Sequence, residues 1–271
     1  MWTDSGYAYA KASWIVGKSF LGKRVSSLSG IHTLSELDRL VFPDYYRELP
    51  GRTLLADLEE RIAERAIRHI LSVVNSFSQP PKLLVRMLKN DDDSNFYQGL
   101  IESLSQLDSD DREIAARLLA DEISLRNSIL ALRLRAYYNK SEAEIKKHLM
   151  ELKLHGNINQ KKSSLASEAK ASLEFSLDVR QDWRGWKWER FLNQEDGSAH
   201  WTLDPRHFQN AALQHLAHLC YHNFHTLPMS VSAIYCFIKL KQFEEDLLTS
   251  VAEGLALGMD SSYVFRLLEV T

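Results

Sequence analysis

The stretch Leu54–Phe77, which reads LLADLEERIAERAIRHILSVVNSF, decides the fold class of this chain. Apolar side chains recur there at steps of three and four residues, the spacing that places them on one face of an α-helix. The members of this stripe are Leu55, Leu58, Ile62, Ala66, Ile70, Val73 or Val74, and Phe77. Charged residues lie mostly beside the stripe, so the pattern predicts an amphipathic helix with one buried face.

Further segments carry the same helical period. Asp111–Tyr138 has two apolar rows, which predicts a helix enclosed on two sides by its neighbours. Helices are also predicted from Asp204 or Pro205 to about Phe224 and from about Met229 to Leu257, the latter stopping at Gly258. Ser172–Arg180 alternates apolar and polar residues, but no partner strand is apparent, so we favour helix there too. Only 6 prolines and 11 glycines occur in 271 residues, too few turn signals for an all-β sandwich, so the chain is predicted to be all-α.

The breaks between helices are marked by proline and by small polar residues. Gln79-Pro80-Pro81 ends the first helix, because proline donates no backbone hydrogen bond and restricts the residue before it. Asn90–Ser94 is a turn and cap signal, with a helix beginning at about Asn95. Its Asp91–Asp93 run resembles half a calcium loop but lacks the downstream glutamate, so we interpret it as a helix cap. The polar stretch His155–Ser164 is predicted to be a linker.

Composition restricts the class of function. The formal net charge of -3 and the pI near 6.4 give no global basic excess, so nucleic-acid binding is not predicted. Cys220 and Cys236 are too few to cross-link a chain of this size and are interpreted as reduced, buried thiols. Residues 1–22 lack the layout of a signal peptide, and no run of about 18 apolar residues occurs. The chain is therefore not expected to span a bilayer, and another protein must hold it at any membrane.

Candidate chemical sites are few. No Gly-x-Ser-x-Gly elbow, no cysteine beside a recognisable base and no glycine-rich phosphate loop is present, so neither catalysis nor a cofactor is predicted. His215, His218 and His222 are the candidate metal ligands, since three imidazoles near one helical face could hold zinc. The rise along a helix from His215 to His222 is about 10 Å, whereas ligand nitrogens lie about 2 Å from one metal, so a polar face is favoured. The tryptophans are interpreted as a core or lobe–lobe contact: Trp183, Trp186, Trp188 and Trp201.

The order of elements repeats along the chain. A helix, an X-Pro break, an apolar helix and an acidic or Asn-bearing helix occur at Leu54–Leu104 and again at Pro205–Leu257. The middle stretch Ala120–Leu130 can be laid without gaps on Leu240–Thr249 and onward. The pattern suggests structural repeats of low sequence identity.

Three motifs, in order, resemble the C subunit of archaeal and bacterial V/A-type ATPases, the equivalent of the eukaryotic V-ATPase d subunit. They are AYAKA at Ala8–Ala12, EISLRN at Glu122–Asn127 with LRLR at Leu132–Arg135, and FIKLKQFEEDLL at Phe237–Leu248 continuing through GLALG at Gly254–Gly258. The resemblance covers almost the whole chain. Glu244-Glu-Asp246 departs from the acidic-x-x-Asn arrangement that relatives often have.

The resemblance implies three similar helical lobes arranged as a funnel around a central cavity. We expect the lobes at 1–105, 106–160 and 161–271, the last with the aromatic-rich segment. The chain is short for this family, which leaves open whether the second lobe is trimmed. In the family the narrow face sits on the proteolipid ring and the mouth receives the D/F central shaft. The resemblance thus implies a non-catalytic central-stalk subunit at the cytoplasmic face of the membrane, with the D and F subunits, the ring and the stator a/I subunit as partners.

Polar residues on the central and last helices are the candidates for the socket that holds the shaft. They are Glu122, Arg126, Asn127, Arg133, Arg135, Glu244, Asp246 and Glu253. The open alternative is that they satisfy one another inside a lobe, because an unpaired buried polar group costs roughly 1–3 kcal/mol. Two other classes of protein also stay open. These are a zinc-binding helical protein and a generic helical-repeat adaptor, although the irregular spacings do not match uniform repeats.

Overall fold

The computed structural model describes residues 2–44, 50–89, 93–154, 164–194 and 200–260. These residues contain ten α-helices and three short 3-10 helices and no β-strand, so the all-α prediction is confirmed. The α-helices are α1 (Trp2–Val16), α2 (Leu34–Val41), α3 (Gly51–Val74), α4 (Lys82–Met87), α5 (Ser94–Leu104), α6 (Ser109–Tyr138), α7 (Glu142–His148), α8 (Ser167–Ala171), α9 (Pro205–Thr226) and α10 (Val231–Ala256). The 3-10 helices are Gly22–Leu28, Arg180–Trp183 and Glu189–Phe191.

Helix α3 forms where the apolar period of Leu54–Phe77 predicts it. Its buried residues are Leu54, Leu58, Ile62, Ala66, Ile70, Val73 and Val74. Leu54 takes the first core position in place of the expected Leu55, which is half-buried. The cap interpretation is also confirmed, because Asp93 accepts a hydrogen bond from Phe96 N at 2.6 Å at the start of α5. Asp91 and Asp92 lie outside the described residues, as do residues 155–163 of the predicted linker.

The chain divides into two compact units, and the first unit comprises Met1–Asn90 and Cys220–Thr271. Within it α10 packs against α1, α2, α3 and α4. One buried cluster combines side chains from the N-terminal and C-terminal parts of this unit: Phe20, Leu28, Ile31, Leu37, Val41, Leu58, Ile62, Leu247, Leu248, Val251, Ala252 and Leu255. A buried ion pair adds to the α2–α3 contact, because Arg61 Nη2 lies 2.8 Å from Oδ1 of the fully buried Asp38.

The second unit comprises Asp91–Leu219. Its long helix α6 packs against α5, α7 and α8, around a cluster of Ala131, Ile145, Leu149, Ala166, Ala169 and Leu173. Helix α9 contributes to both units, since the boundary between them falls at Leu219 and Cys220. The division into lobes at 1–105, 106–160 and 161–271, and the funnel, stay predictions.

The prediction of a helix at Ser172–Arg180 is wrong. Helix α8 ends at Ala171, and the chain continues in turns. Nearby side chains take the backbone groups of this stretch, because Asp182 accepts from Ser176 N at 3.2 Å and the Trp183 indole donates to Ser176 O at 2.7 Å. Side-chain partners of this kind compete with the i→i+4 bonds of a helix.

The tryptophans form a buried aromatic core in the second unit, as predicted. Trp183 is fully buried and its ring centroid lies 5.2 Å from that of Trp186, which stacks on Phe208 at 5.4 Å. In the first unit Cys220 and Cys236 are free and buried, also as predicted. The contact with Cys220, together with burial, raises the pKa of the Cys236 thiol. None of the helices in the described residues is long and apolar enough to cross a membrane.

Candidate partner-binding residues

Glu122 lies buried on α6 and is bonded inside its own unit. Tyr97 Oη on α5 donates to Glu122 Oε1 at 2.9 Å, and Arg126 Nε lies 3.3 Å from the same oxygen. The i,i+4 spacing predicts the contact between Glu122 and Arg126. Tyr97 was missed because its hydroxyl lies 25 residues away in sequence. Arg126 keeps 37% of its side-chain surface exposed, so it neutralises the buried carboxylate and still presents charge to solvent.

Asn127 is fully buried and joins three parts of the second unit. Its Nδ2 donates to Met150 O at 3.1 Å and to Leu165 O at 3.3 Å, and its Oδ1 accepts from Met150 N at 2.8 Å. The side chain therefore satisfies backbone groups that no helix ladder satisfies. In this conformation it offers nothing to a partner subunit.

Arg133 and Arg135 lie two residues apart on α6 but have different surroundings. Arg133 is exposed, with Nη1 3.4 Å from Gln209 Oε1. Arg135 is half-buried and donates from Nη1 to Ser172 O at 3.0 Å, at the C-terminal end of α8. It thereby satisfies a carbonyl that a helix end leaves without a partner. Arg133 is available to a partner protein, whereas Arg135 supports its own unit.

Glu244, like Asp38, is a buried carboxylate of the first unit, with 2% of its surface exposed. Phe20 N donates to its Oε1 at 2.6 Å, and Lys241 Nζ pairs with Oε2 from one turn earlier on α10. Arg65 Nη2 lies 4.0 Å from Oε1. A buried carboxylate needs such partners, because leaving it unpaired is strongly destabilising. The contacts tie the chain after α1 to α10.

Two bases of the first unit, Lys241 and His69, have lowered pKa values. Burial, together with the charge of Arg65, lowers the pKa of Lys241 to about 7. Burial, then Lys241 and Arg65, lowers the pKa of His69 to about 4. His69 Nδ1 is buried and has no hydrogen-bond partner among the described residues. Sequence reasoning missed this cluster, although the i,i+3 spacing of Lys241 and Glu244 was one usable signal.

Asp246 and Glu253, the other two candidates on α10, are exposed. The eight predicted socket residues therefore include three buried side chains with partners inside their own unit: Glu122, Asn127 and Glu244. The remaining five reach the surface at least in part: Arg126, Arg133, Arg135, Asp246 and Glu253. Those on α6 belong to the second unit and those on α10 to the first. Their role in partner binding stays a prediction.

The candidate metal ligands on α9 have separate environments. His215 is half-buried, with Nε2 3.1 Å from Arg190 Nη2, while His218 and His222 are exposed. Burial and then the charge of Arg190 lower the pKa of His215. A guanidinium beside the imidazole also disfavours a second cation there. No three His, Cys, Asp or Glu side chains within the described ranges are grouped so as to hold a metal ion.

Comparison with known proteins gives the class of this all-helical chain. The family model of the ATP synthase (C/AC39) subunit matches residues 18–264. The chain therefore belongs to this family of V/A-type ATPase subunits, and the family expected from its three motifs is confirmed. An uncharacterised protein of Treponema pallidum (strain Nichols) is similar to it, with 21% identity over 318 residues that cover 93% of this chain and 92% of that protein. No solved structure matches the chain.

Proposed function

We propose that this chain is the non-catalytic central-stalk subunit that couples the D/F shaft to the proteolipid ring of a rotary V/A-type ATPase. The coupling serves ATP-driven ion transport or ATP synthesis, at the cytoplasmic face of the membrane and with the stator a/I subunit as a further contact. The family match over residues 18–264 carries the proposal. The helical body supports it, because helices satisfy their own backbone hydrogen bonds and give a coupler stiffness.

The surface supplies charges of both signs for polar contacts with the shaft. Arg133 is exposed on α6 of the second unit, and Asp246 and Glu253 are exposed on α10 of the first. Exposed charges act mainly on the rate and specificity of association. Charge contacts of this kind suit a subunit that must bind the shaft in one orientation.

Co-purification from native membranes tests the assignment to the complex. We expect the catalytic head subunits, the D and F subunits and the proteolipid to accompany the tagged chain after mild solubilisation. Recovery of the chain without any of these subunits, while they are recovered with one another, would refute the proposal.

Charge reversal at Arg133 tests the socket. Arg133→Glu is expected to weaken binding of purified D/F by roughly tenfold, about 1.4 kcal/mol, since an attractive contact becomes repulsive. Arg117→Glu is the matched control, because Arg117 is also exposed on α6 and the change in net charge is the same. Arg135 is unsuitable, since its bond to Ser172 O makes loss of folding a competing explanation. Equal D/F affinity of the two folded variants would remove Arg133 from the socket.

A further inference from the structure

A cleft in the second unit is lined by polar side chains. Arg180, Gln181, Arg184, Glu189 and Gln194 line it. Its lining residues belong to the two 3-10 helices, Arg180–Trp183 and Glu189–Phe191, or closely follow them in sequence. Nothing in the established family membership assigns a role to this cleft.

The charged acceptor of the cleft, the Glu189 carboxylate, is already used. Glu189 Oε1 accepts from Arg180 Nη1 at 3.2 Å, and Glu189 Oε2 accepts from Gly185 N at 2.9 Å. The Gly185 bond first, and then Arg180 and Arg184, lower the pKa of Glu189, so this carboxylate is ionised at neutral pH. It fixes Arg180 in place and leaves little capacity to accept from a ligand.

The donor groups of the cleft are largely free. Among the described residues, Arg184, Gln181 and Gln194 have no side-chain hydrogen bond or ion pair, and Arg184 is exposed. A guanidinium offers five N–H donors in a planar fork, and each carboxamide offers two more. The two carboxamide oxygens are acceptors, but the N–H donors outnumber them and the guanidinium is charged, so the cleft favours an oxyanion ligand.

Buried tryptophans adjoin the residues of the cleft in sequence and fix the backbone there. Trp183 is fully buried and Trp188 nearly so, and the Arg180 guanidinium lies 5.9 Å from the Trp201 ring. Gly185, with φ of 81°, makes the turn that brings its N–H to Glu189. A ligand that binds here need not order the backbone first, which lowers the cost of binding.

We infer that this cleft binds the carboxylate side chain of an acidic segment of a partner subunit, with Arg184 as the principal contact and the amides of Gln181 and Gln194 as flanking donors. Two guanidinium charges stand against one carboxylate, so the cleft has a net charge of +1, which matches a monoanion. The inference rests on the proposed function only in taking the occupant from another subunit of the ATPase.

Nuclear magnetic resonance of the full chain tests the inference with a blocked Gly-Glu-Gly peptide. We expect saturable shifts of the Arg184 Nε–Hε signal and of the Gln181 and Gln194 side-chain amides. The dissociation constant should be on the order of millimolar, because an isolated exposed charge pair contributes little. Raising the salt concentration should weaken binding. A blocked Gly-Gln-Gly peptide should cause no saturable shift.

Two variants of equal net charge isolate the cleft. Arg184→Gln should weaken peptide binding about fivefold, because the charge-assisted bonds are lost. Arg117→Gln, at an exposed arginine of the same unit, should leave binding unchanged. Equal affinity in these two variants, or no shift in the wild type at tens of millimolar peptide, would overturn the inference.

The source of the carboxylate is tested separately. Inorganic phosphate or acetate that binds more tightly than the Glu peptide would make the cleft a small-anion site and overturn the inference. Glu195 and Asp196 follow Gln194 in sequence and lie outside the described residues. Peptide binding that appears only in the Glu195→Gln/Asp196→Asn variant would also overturn it, since the chain's own acids would then occupy the cleft. These titrations need no partner subunit, so their failure leaves the co-purification and Arg133 tests unaffected.

Discussion

Single buried polar side chains join segments that are distant along the chain, and Asn127 allows a direct measurement of their contribution. Asn127→Ala removes three hydrogen bonds and leaves the peptide groups of Met150 and Leu165 without partners. We expect a loss of about 2–3 kcal/mol in the free energy of unfolding, measured from urea midpoints. Arg117→Ala on the same helix should change it by less than about 0.5 kcal/mol, because Arg117 is exposed. Similar midpoints for both variants would show that Asn127 does not hold these segments together.

The lowered pKa of His69 predicts that the stability of the first unit depends on pH. Its pKa in the folded chain is about 4, lowered from 6.5, so the unfolded chain binds the proton more readily between these values. The dependence of stability on His69 is therefore confined to pH values below about 6.5, where stability falls as the pH drops towards 4. His69→Asn should flatten this slope by less than about 1.4 kcal/mol per pH unit, the ceiling for one proton. Urea unfolding from pH 7 to 5 measures the slope, and His218→Asn, at an exposed histidine, should retain it.

At this scale the sequence predicts local partners and misses distant ones. The contact of Arg126 with Glu122 follows from i,i+4 spacing on a helix. The contact of Glu244 with Phe20 N cannot be predicted in this way, because Phe20 lies 224 residues away and its position depends on how α1 and α10 pack. For the same reason exposed and buried socket candidates could not be separated from sequence. Burial is a property of the packed unit, and helical periodicity indicates it only for apolar residues.

Among the helices, the C-terminal end of α10 gives a prediction that depends on backbone conformation alone. Gly258 has φ of +77°, and a Cβ built on it meets nothing within 4 Å. Gly258→Ala should therefore cost about 1 kcal/mol of stability through the left-handed backbone alone. Gly51 is the matched control, because it also has open space around a Cβ but no left-handed φ. Gly51→Ala at the first position of α3 should stabilise by roughly 0.5 kcal/mol, and thermal melting of both variants compares them.

The elements differ in how well sequence predicts them. Helices α3, α6, α9 and α10 carry long apolar periods, and α3, α9 and α10 are followed within a few residues by Pro80, Pro228 and Gly258, so period and breakers agree there. Ser172–Arg180 has no long helical period and no helix breaker. Its backbone is fixed instead by hydrogen bonds with Asp182 and the Trp183 indole. A short segment whose conformation depends on side-chain contacts gives no periodic signal.

For the whole molecule, the order of segments in the two units has a consequence for folding. The second unit is one continuous stretch, whereas the first is assembled from both ends of the chain. The apolar stripe of α3 is covered by α10, which lies more than 150 residues further on. Contacts between such distant segments carry a high loop-closure cost and are expected to form late in folding.

Removal of α10 should therefore unfold one unit and spare the other. A chain ending at Thr226 keeps every described helix of the second unit but leaves Leu58, Ile62 and the rest of the α3 stripe without the residues that bury them. We expect hydrogen exchange, followed by mass spectrometry, to show α3 exchanging at nearly the unfolded rate while α6 stays protected. A chain ending at Asp260 is the control, because it retains α10, and its α3 should stay protected. Protection of α3 without α10 would mean that α10 is not needed to bury it, and loss of protection in α6 would mean that the second unit does not fold on its own.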